Sequence, residues 1–279
     1  MKPGHKPTLT LPGPLLLVGA GKMGGALLNG WLRLGLDPAS VFVVDPQPSP
    51  EMKAELDKHH IALNPGSMPA PKVVLLAVKP QILKPALQAV ALHVEKDTLV
   101  MSILAGATLG ALDAGLPDRT AIVRAMPNTP AAVGRGMTVM VANSDTGPEQ
   151  KLIARQLMEA VGETAWIENE DLMDAVTAVS GSGPAYVFYL AETLALAGVK
   201  AGLLPELAAK LARATVCGAG ELMHLSDLPP DTLRKHVTSQ GGTTAAALEV
   251  LMAPDGLEWL MGRAVHAAAE RSRELGRGT

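Results

Sequence analysis

An α/β architecture, a doubly wound N-terminal sheet followed by an all-α second domain, is predicted for this 279-residue chain on three observations. First, short and continuously apolar runs alternate with stretches of helical periodicity as far as residue 142. Such runs suit strands buried on both faces, and their alternation with helices implies a parallel sheet covered on both sides. Second, LLLVGAGKMGGALLNGWLRL at 15–34 reads as strand, tight glycine turn and helix. Third, strand-like runs stop after Ile167 while helical periodicity continues almost to the end.

Composition narrows the classes of function. Apolar residues make up 48% of the chain but aromatics only 3%, so the core must be built from Ala, Leu, Val and Met. Net charge is −3 and no basic cluster is interleaved with aromatics, which argues against a nucleic-acid partner. One cysteine, Cys217, cannot close an intrachain disulfide and fits a reducing compartment. In its Ala-rich helical stretch it reads as a small buried residue rather than a nucleophile. Residues 1–13 carry three prolines and no long apolar run, and read as a flexible tail rather than a signal peptide. The most apolar long segment, 185–204, is interrupted by Glu192 and Lys200, so it reads as a core helix and not a membrane span. A cytoplasmic protein is expected.

The strand at 15–18 leads into G-x-G-x-x-G. Gly19 permits the sharp turn, Gly21 has no Cβ to hold a pyrophosphate away, and Gly24 lets helix and strand approach. Ala20, Lys22 and Met23 complete the turn, and the first helical N–H groups lack partners within the helix, so a diphosphate is welcome there. A second strand, 41–45, ends in Asp45. Two readings stand: a carboxylate against the adenosine ribose, which would repel the extra phosphate of NADP, or a turn residue before Pro46. A polar helix at 50–60 and a short strand at 61–63 follow. The strand at 73–78 ends in Lys79-Pro80-Gln81, with Pro80 placed as a first helical residue of a helix to 93. The strand at 98–104 closes on Ala105 and Gly106. A helix at 109–114 and a strand at 121–124 precede Met126-Pro127-Asn128-Thr129-Pro130. Ligands of such sheets lie beyond the carboxyl ends of the strands, where these Gly, Pro, Asn and Lys residues fall. Strands at 137–142 and 164–167 flank a helix at 148–161.

The boundary is expected near Glu168, giving a dinucleotide-binding domain over 14–168 and a helical domain over 169–279. Helices are expected at 170–179, 184–201, 205–224, 243–252 and 257–275. Ala-rich helices approach closely and often bury themselves against a second copy, so a homo-oligomer is expected. Ser180-Gly181-Ser182-Gly183-Pro184 reads as a helix start, with Pro184 in its first turn and Ser182 or Ser180 as cap. Thr238-Ser239-Gln240-Gly241-Gly242-Thr243-Thr244 gathers four hydroxyls and two glycines ahead of a helix. It reads either as a receptor for a carboxylate or as an ordinary N-cap, which needs one hydroxyl and not four. No metal site is expected, because His59, His60, His224, His236 and His266 lack ligand spacing with Cys or acids.

Taken together, GAGKMG at 19–24, AVKPQ at 77–81, RAMPNTP at 124–130, EDLMDAVTAVSGSGPAY at 170–186 and VTSQGGTT at 237–244 resemble one family, pyrroline-5-carboxylate reductase. The resemblance implies a Rossmann domain, then a helical domain that dimerises, with dimers commonly assembling to decamers of five. It implies reduction of the small-molecule substrate 1-pyrroline-5-carboxylate to L-proline, the last step of proline biosynthesis, with NAD(P)H. It implies that Ala77, Val78, Lys79 and Pro80 line the cofactor, that Asn128 lies beside the nicotinamide, and that Asn64 lies near the adenosine. Ser239, Gly241, Gly242, Thr243 and Thr244 would bind substrate, Thr244 near the imine nitrogen as the catalytic hydroxyl, and Glu170 would border the product. The pocket is implied to form at a dimer interface. Two departures stand out: Gln240 occupies the proline position of the family's S-P-G-G pattern, and Asp45-Pro46 replaces the polar or basic residue of NADP-favouring members, which leans the cofactor to NADH. Dehydrogenases of 3-hydroxy acids present a lysine acid where this chain has Val187, and a basic cyclic imine needs no such donor. The competing readings are a reductase of another small cyclic imine or keto acid, and a nucleotide-binding sensor without turnover.

Overall fold

The computed structural model describes residues 8–276. The sheet-bearing part opens with β1 (Leu15–Val18), α1 (Lys22–Arg33), β2 (Val41–Val44), α2 (Pro50–Lys58) and β3 (Ala62–Leu63). It continues with β4 (Val73–Leu76), α3 (Leu83–Ala91), β5 (Leu99–Ser102), α4 (Leu109–Asp113) and β6 (Ala121–Met126). It closes with β7 (Gly136–Ala142), α5 (Pro148–Glu159), β8 (Gly162–Trp166) and the short α6 (Met173–Val176). The helical part comprises α7 (Gly183–Lys200), α8 (Pro205–Leu225), α9 (Pro230–His236), α10 (Thr243–Leu251) and α11 (Leu257–Gly276).

One sheet holds the strands in the order β3-β2-β1-β4-β5-β6-β7-β8. β1 pairs in parallel with β2 on one side and β4 on the other, so the order reverses at β1 and opens a crevice at its carboxyl end. Successive β1 residues face opposite layers, as the period of two requires. Leu15 and Leu17 join a core with Trp31, Leu27 and Leu28 of α1, while Leu16 and Val18 join one with Leu83, Leu87 and Leu112. That two-sided burial is why the strands read as unbroken apolar runs. The sheet is not wholly parallel, however: β7 runs antiparallel to β6. Too few residues separate Met126 from Gly136 for a parallel crossover, which needs a dozen or more. β8 then returns parallel to β7, with α5 as the crossover.

Several expectations are corrected. The tail expected to be loose through residue 13 lies outside the described residues at 1–7 but is fixed beyond them: Leu9 is buried, and its N–H donates to Leu34 O at 2.8 Å. The helix expected at 170–179 is a 3₁₀ turn at Glu170–Leu172, then α6, then a π turn at Thr177–Gly181. Thr177 Oγ1 donates back to Met173 O at 2.8 Å, competing with the backbone ladder at the point where it loosens. Pro80 opens a 3₁₀ turn, and α3 begins only at Leu83. The helix α9 was not expected, its start hidden by Pro229-Pro230, yet Pro230 suits a first helical turn. Cys217 is exposed on α8, not buried.

Contacts divide the chain into two compact units. One runs to Gly181 and takes back the residues from Ala269 onward, and the other is Ser182–Ala268. The sequence boundary near residue 168 marks where strands stop, whereas 170–181 stays with the sheet through polar ties described below. Within the second unit α7 and α8 approach closely, a Cβ at Gly198 falling 3.3 Å from that of Ala208. Of the described residues in this unit only Ala208 and Ala212 are buried. Phe188 and Tyr189 on α7 are 69% and 65% exposed, and Leu190, Leu194 and Leu196 beside them are exposed as well. A helical unit with so little interior of its own requires an apolar partner. Among the described residues no helix is long and apolar enough to cross a membrane.

Trp31 fixes α1 against α5, its Nε1–H donating to Leu157 O at 2.8 Å in the fully buried core. Trp31→Phe strands that carbonyl and opens a small void, and should cost about 2 kcal/mol in urea unfolding. A change below half of that would show that the bond does not hold the layer.

Candidate active site

The candidate site residues fall in two places, one in each unit. In the first, the turn after β1 is forced by close approach. Gly19 has φ +92, its N–H donates to Val44 O at 2.8 Å, and a Cβ there would lie 2.7 Å from Ala77 O. A Cβ at Gly24 would lie only 2.2 Å from Gly19 O and 3.2 Å from the Ala77 Cβ. Gly21 differs: nothing lies within 4 Å of its absent Cβ, and it stands as the N-cap of α1 with no side chain bonding the helix start. Lys22 is exposed and Met23 partly buried in that first turn. Two glycines therefore serve packing, and one leaves open space before unpartnered N–H groups and a positive helix end, a fit for a diphosphate.

Asp45 is fixed beside this turn. Its Oδ2 accepts from Ala20 N–H at 2.8 Å and its Oδ1 from Gln47 N–H at 2.9 Å. Asn64, at φ +49, grips the same residue by its backbone: Oδ1 accepts from Asp45 N–H at 2.9 Å and Nδ2 donates to Asp45 O at 2.8 Å. Asp45 therefore acts as a turn residue before Pro46 and also sets its carboxylate against the glycine loop. Ala77 follows β4 directly, its N–H on Val18 O at 2.8 Å, and Val78 packs toward Gly19. Lys79 and Pro80 are exposed, and Ala105 and Gly106 (φ +81) follow β5.

Beyond β6 the side chains are tied to one another. Asn128 Nδ2 donates to Ser180 O and Oγ, each at 3.2 Å, and its Oδ1 accepts from Met137 N–H at 2.9 Å. Glu170 Oε1 accepts from Arg124 Nη1 at 2.7 Å and from Leu109 N–H at 2.8 Å. The Arg124 side chain is only 5% exposed. Arg124 lies within the RAMPNTP motif, whose pattern assigns it no role. The signal was present, because an arginine inside the apolar strand AIVRAM must have a partner. The expected hydroxyl cap at 180–184 is absent: Ser182 occupies the N-cap of α7 without a side-chain bond, and Ser180 Oγ serves Asn128.

In the second unit, Gly241 adopts φ +70 and Gly242 is the N-cap of α10, which no side chain caps. Thr243 and Thr244 are the first two helical residues. Thr238 Oγ1 donates backwards to Arg234 O at 2.7 Å, and Gly242 N–H bonds Ser239 O at 3.1 Å. The ordinary N-cap reading fails, because none of the four hydroxyls caps the helix. Its first N–H groups are left beside the hydroxyls of Thr243 and Thr244, an arrangement able to receive a carboxylate. His236 is exposed. Among the described residues no group of three or more His, Cys, Asp or Glu is gathered as a metal ion would need.

Comparison with known proteins bears on both units. Residues 170–275 match the family model described as pyrroline-5-carboxylate reductase dimerisation, and residues 15–106 that of NADP oxidoreductase, coenzyme F420-dependent. A pyrroline-5-carboxylate reductase of Synechocystis sp. is 42% identical over 266 residues, 94% of this chain and 97% of that one. The structure of a pyrroline-5-carboxylate reductase from Coxiella burnetii superposes with TM-score 0.88 at 33% identity, covering 95% of this chain and 99% of the other. The Plasmodium falciparum pyrroline carboxylate reductase, crystallised with NADP bound, gives TM-score 0.78 at 29% identity, covering 95% and 98%.

Removing one partner from a buried ion pair leaves the other charge unpaired. Glu170→Ala should therefore lower stability by about 3 kcal/mol, while Glu170→Gln, which keeps an acceptor oxygen, loses about half as much. Chemical unfolding of both variants measures the difference, and equal losses would mean that the pair's charge is immaterial.

Proposed function

We infer the function from one premise, that the chain belongs to the pyrroline-5-carboxylate reductase family. It is an NAD(P)-dependent oxidoreductase that forms homo-oligomers and reduces 1-pyrroline-5-carboxylate to L-proline. The observation that carries the residue-level reading is the uncapped, side-chain-free start of α1 at Gly21, with Asp45 locked beside it.

The pyrophosphate is assigned to the N–H groups of Gly21, Lys22 and Met23, with Gly19, Ala20 and Gly24 shaping the turn. Asp45 and Asn64 are assigned to the adenosine end, and Ala77, Val78, Lys79, Pro80, Ala105, Gly106 and Asn128 to the remaining length. Bound there, NAD(P)H supplies a hydride for the C=N carbon of the substrate. Asp45 holds a fixed negative charge where NADP carries its extra phosphate, so NADH is favoured. The substrate carboxylate docks on the start of α10, with Ser239, Gly241, Gly242, Thr243 and Thr244 lining it and Glu170 bordering the product.

A cyclic imine is basic enough to arrive protonated, so no lysine acid is required and Val187 suffices at that position. The protein has mainly to hold donor and acceptor close and shielded from water. The Thr244 hydroxyl beside the nitrogen provides the polarity. The homodimer is the working unit, with a decamer of five dimers as its full assembly, and the compartment is the cytoplasm, where a chain with one cysteine stays reduced.

Four outcomes test this reading. Proline with NAD at high pH should yield NADH absorbance, and no signal with either nicotinamide cofactor would remove the activity. Thr244→Ala should lower kcat by about tenfold or more with the NADH dissociation constant nearly unchanged, and full turnover would exclude its role. Asp45→Ser should raise the NADPH to NADH ratio of kcat/KM by about tenfold, and an unchanged ratio would remove Asp45 as the selector. A marked preference for six-membered over five-membered cyclic imino acids would favour the competing imine reductase.

A further inference from the structure

The end of α11 belongs to the first unit, and a part-buried bond ties it there. Ser272 is 5% exposed, and its Oγ donates to Asp174 Oδ1 at 2.5 Å. Arg273 Nε lies 4.0 Å from Asp174 Oδ2. One turn further, the helix backbone abuts the loop after β5: a Cβ at Gly106 would stand 3.4 Å from Gly276 N and from Leu275 C. Gly106 is buried and held at φ +81, a conformation that leaves little room for adjustment.

The same loop is gripped at its far end. Leu109 N–H bonds Glu170 Oε1 at 2.8 Å, and Glu170 stands one helical turn before Asp174. Segment 170–174 therefore holds the loop twice, through Leu109 directly and at Gly106 through the end of α11. A seryl hydroxyl buried against a carboxylate is a charge-assisted bond, stronger than a neutral one. Nothing in the described chemistry of the site uses it.

We propose that Asp174 and Ser272 are a positioning pair that seats the end of α11 behind Gly106 and so sets the shape of the Ala105–Gly106 loop that receives the dinucleotide. The inference rests on the reading of that loop as cofactor-lining. The pair acts on cofactor affinity and not on the chemical step, since neither residue reaches the substrate-binding segment 239–244 by any bond described.

The test is NADH titration by fluorescence on the full-length oligomer, with steady-state kinetics alongside. Ser272→Ala should weaken NADH binding about fivefold, the fold-change that one hydrogen bond of ordinary net strength carries. KM for NADH should rise in step, while kcat at saturating NADH and KM for the imino acid stay at wild-type values. Ser272→Thr, which keeps the hydroxyl, should restore affinity. A Ser272→Ala protein that melts earlier yet binds NADH as the wild type does would overturn the proposal, because the bond would then be structural only. If Ser272→Ala fails to fold, Asp174→Asn carries the same readout, with weaker NADH binding expected and unchanged binding overturning. Gly106→Ala separates the two claims. Wild-type affinity in that variant would remove the loop from the cofactor site. Weakened affinity there with none in Ser272→Ala would leave the loop in place and remove the pair.

Discussion

One carboxylate oxygen, Oε1 of Glu170, accepts both the guanidinium of Arg124 and the amide of Leu109, and the carboxyl edge of the sheet depends on that junction. Arg124 brings a full charge into β6, where burial would be costly without a partner. Glu170 meets that charge and in the same act fixes the start of α4 and the start of segment 170–181. Asn128 fixes the far end of that segment at Ser180 while accepting the Met137 amide where β7 begins. The segments that follow β5 and β6 are thereby tied to 170–181 by residues that hold one another. Preorganisation of this kind is what hydride transfer to an already activated imine asks of a protein.

The glycine turn works by exclusion. No side chain fits at Gly19 or Gly24, since the nearest atoms are backbone and cannot yield. Gly21 leaves open space at the helix start, whereas the other two glycines let strand and helix approach. Asp45 joins these parts electrostatically, bonded through Oδ2 to the Ala20 amide.

Much of this was legible before any coordinates. A strand buried on both faces must be apolar throughout, so β1, β2, β4 and β5 announce themselves, and the glycine spacing marks the turn. Strand direction is not written in apolarity. Only the short connection from Met126 to Gly136 hints that β7 turns back. The π turn at Thr177–Gly181 is invisible because helical periodicity runs straight through it. Partnerships across 46 residues, as between Arg124 and Glu170, leave at most the mark of a charge in an apolar strand. The place of 170–181 with the sheet could not be read either, since it is set by those long-range polar ties. The four hydroxyls at 238–244 do not reveal from sequence that none of them caps the helix, and the structure leaves the start of α10 uncapped.

The apolar residues of the helical unit lie mostly on the outside of a single chain, as a dimerisation domain requires. The direct measurement is a crystal structure of the assembled oligomer with NAD and proline bound. The account requires the pyrophosphate on the amides that follow Gly21 and the proline carboxylate on those that open α10, with the ring carbon facing the nicotinamide. A proline carboxylate held elsewhere, with 239–244 open to solvent, would contradict it.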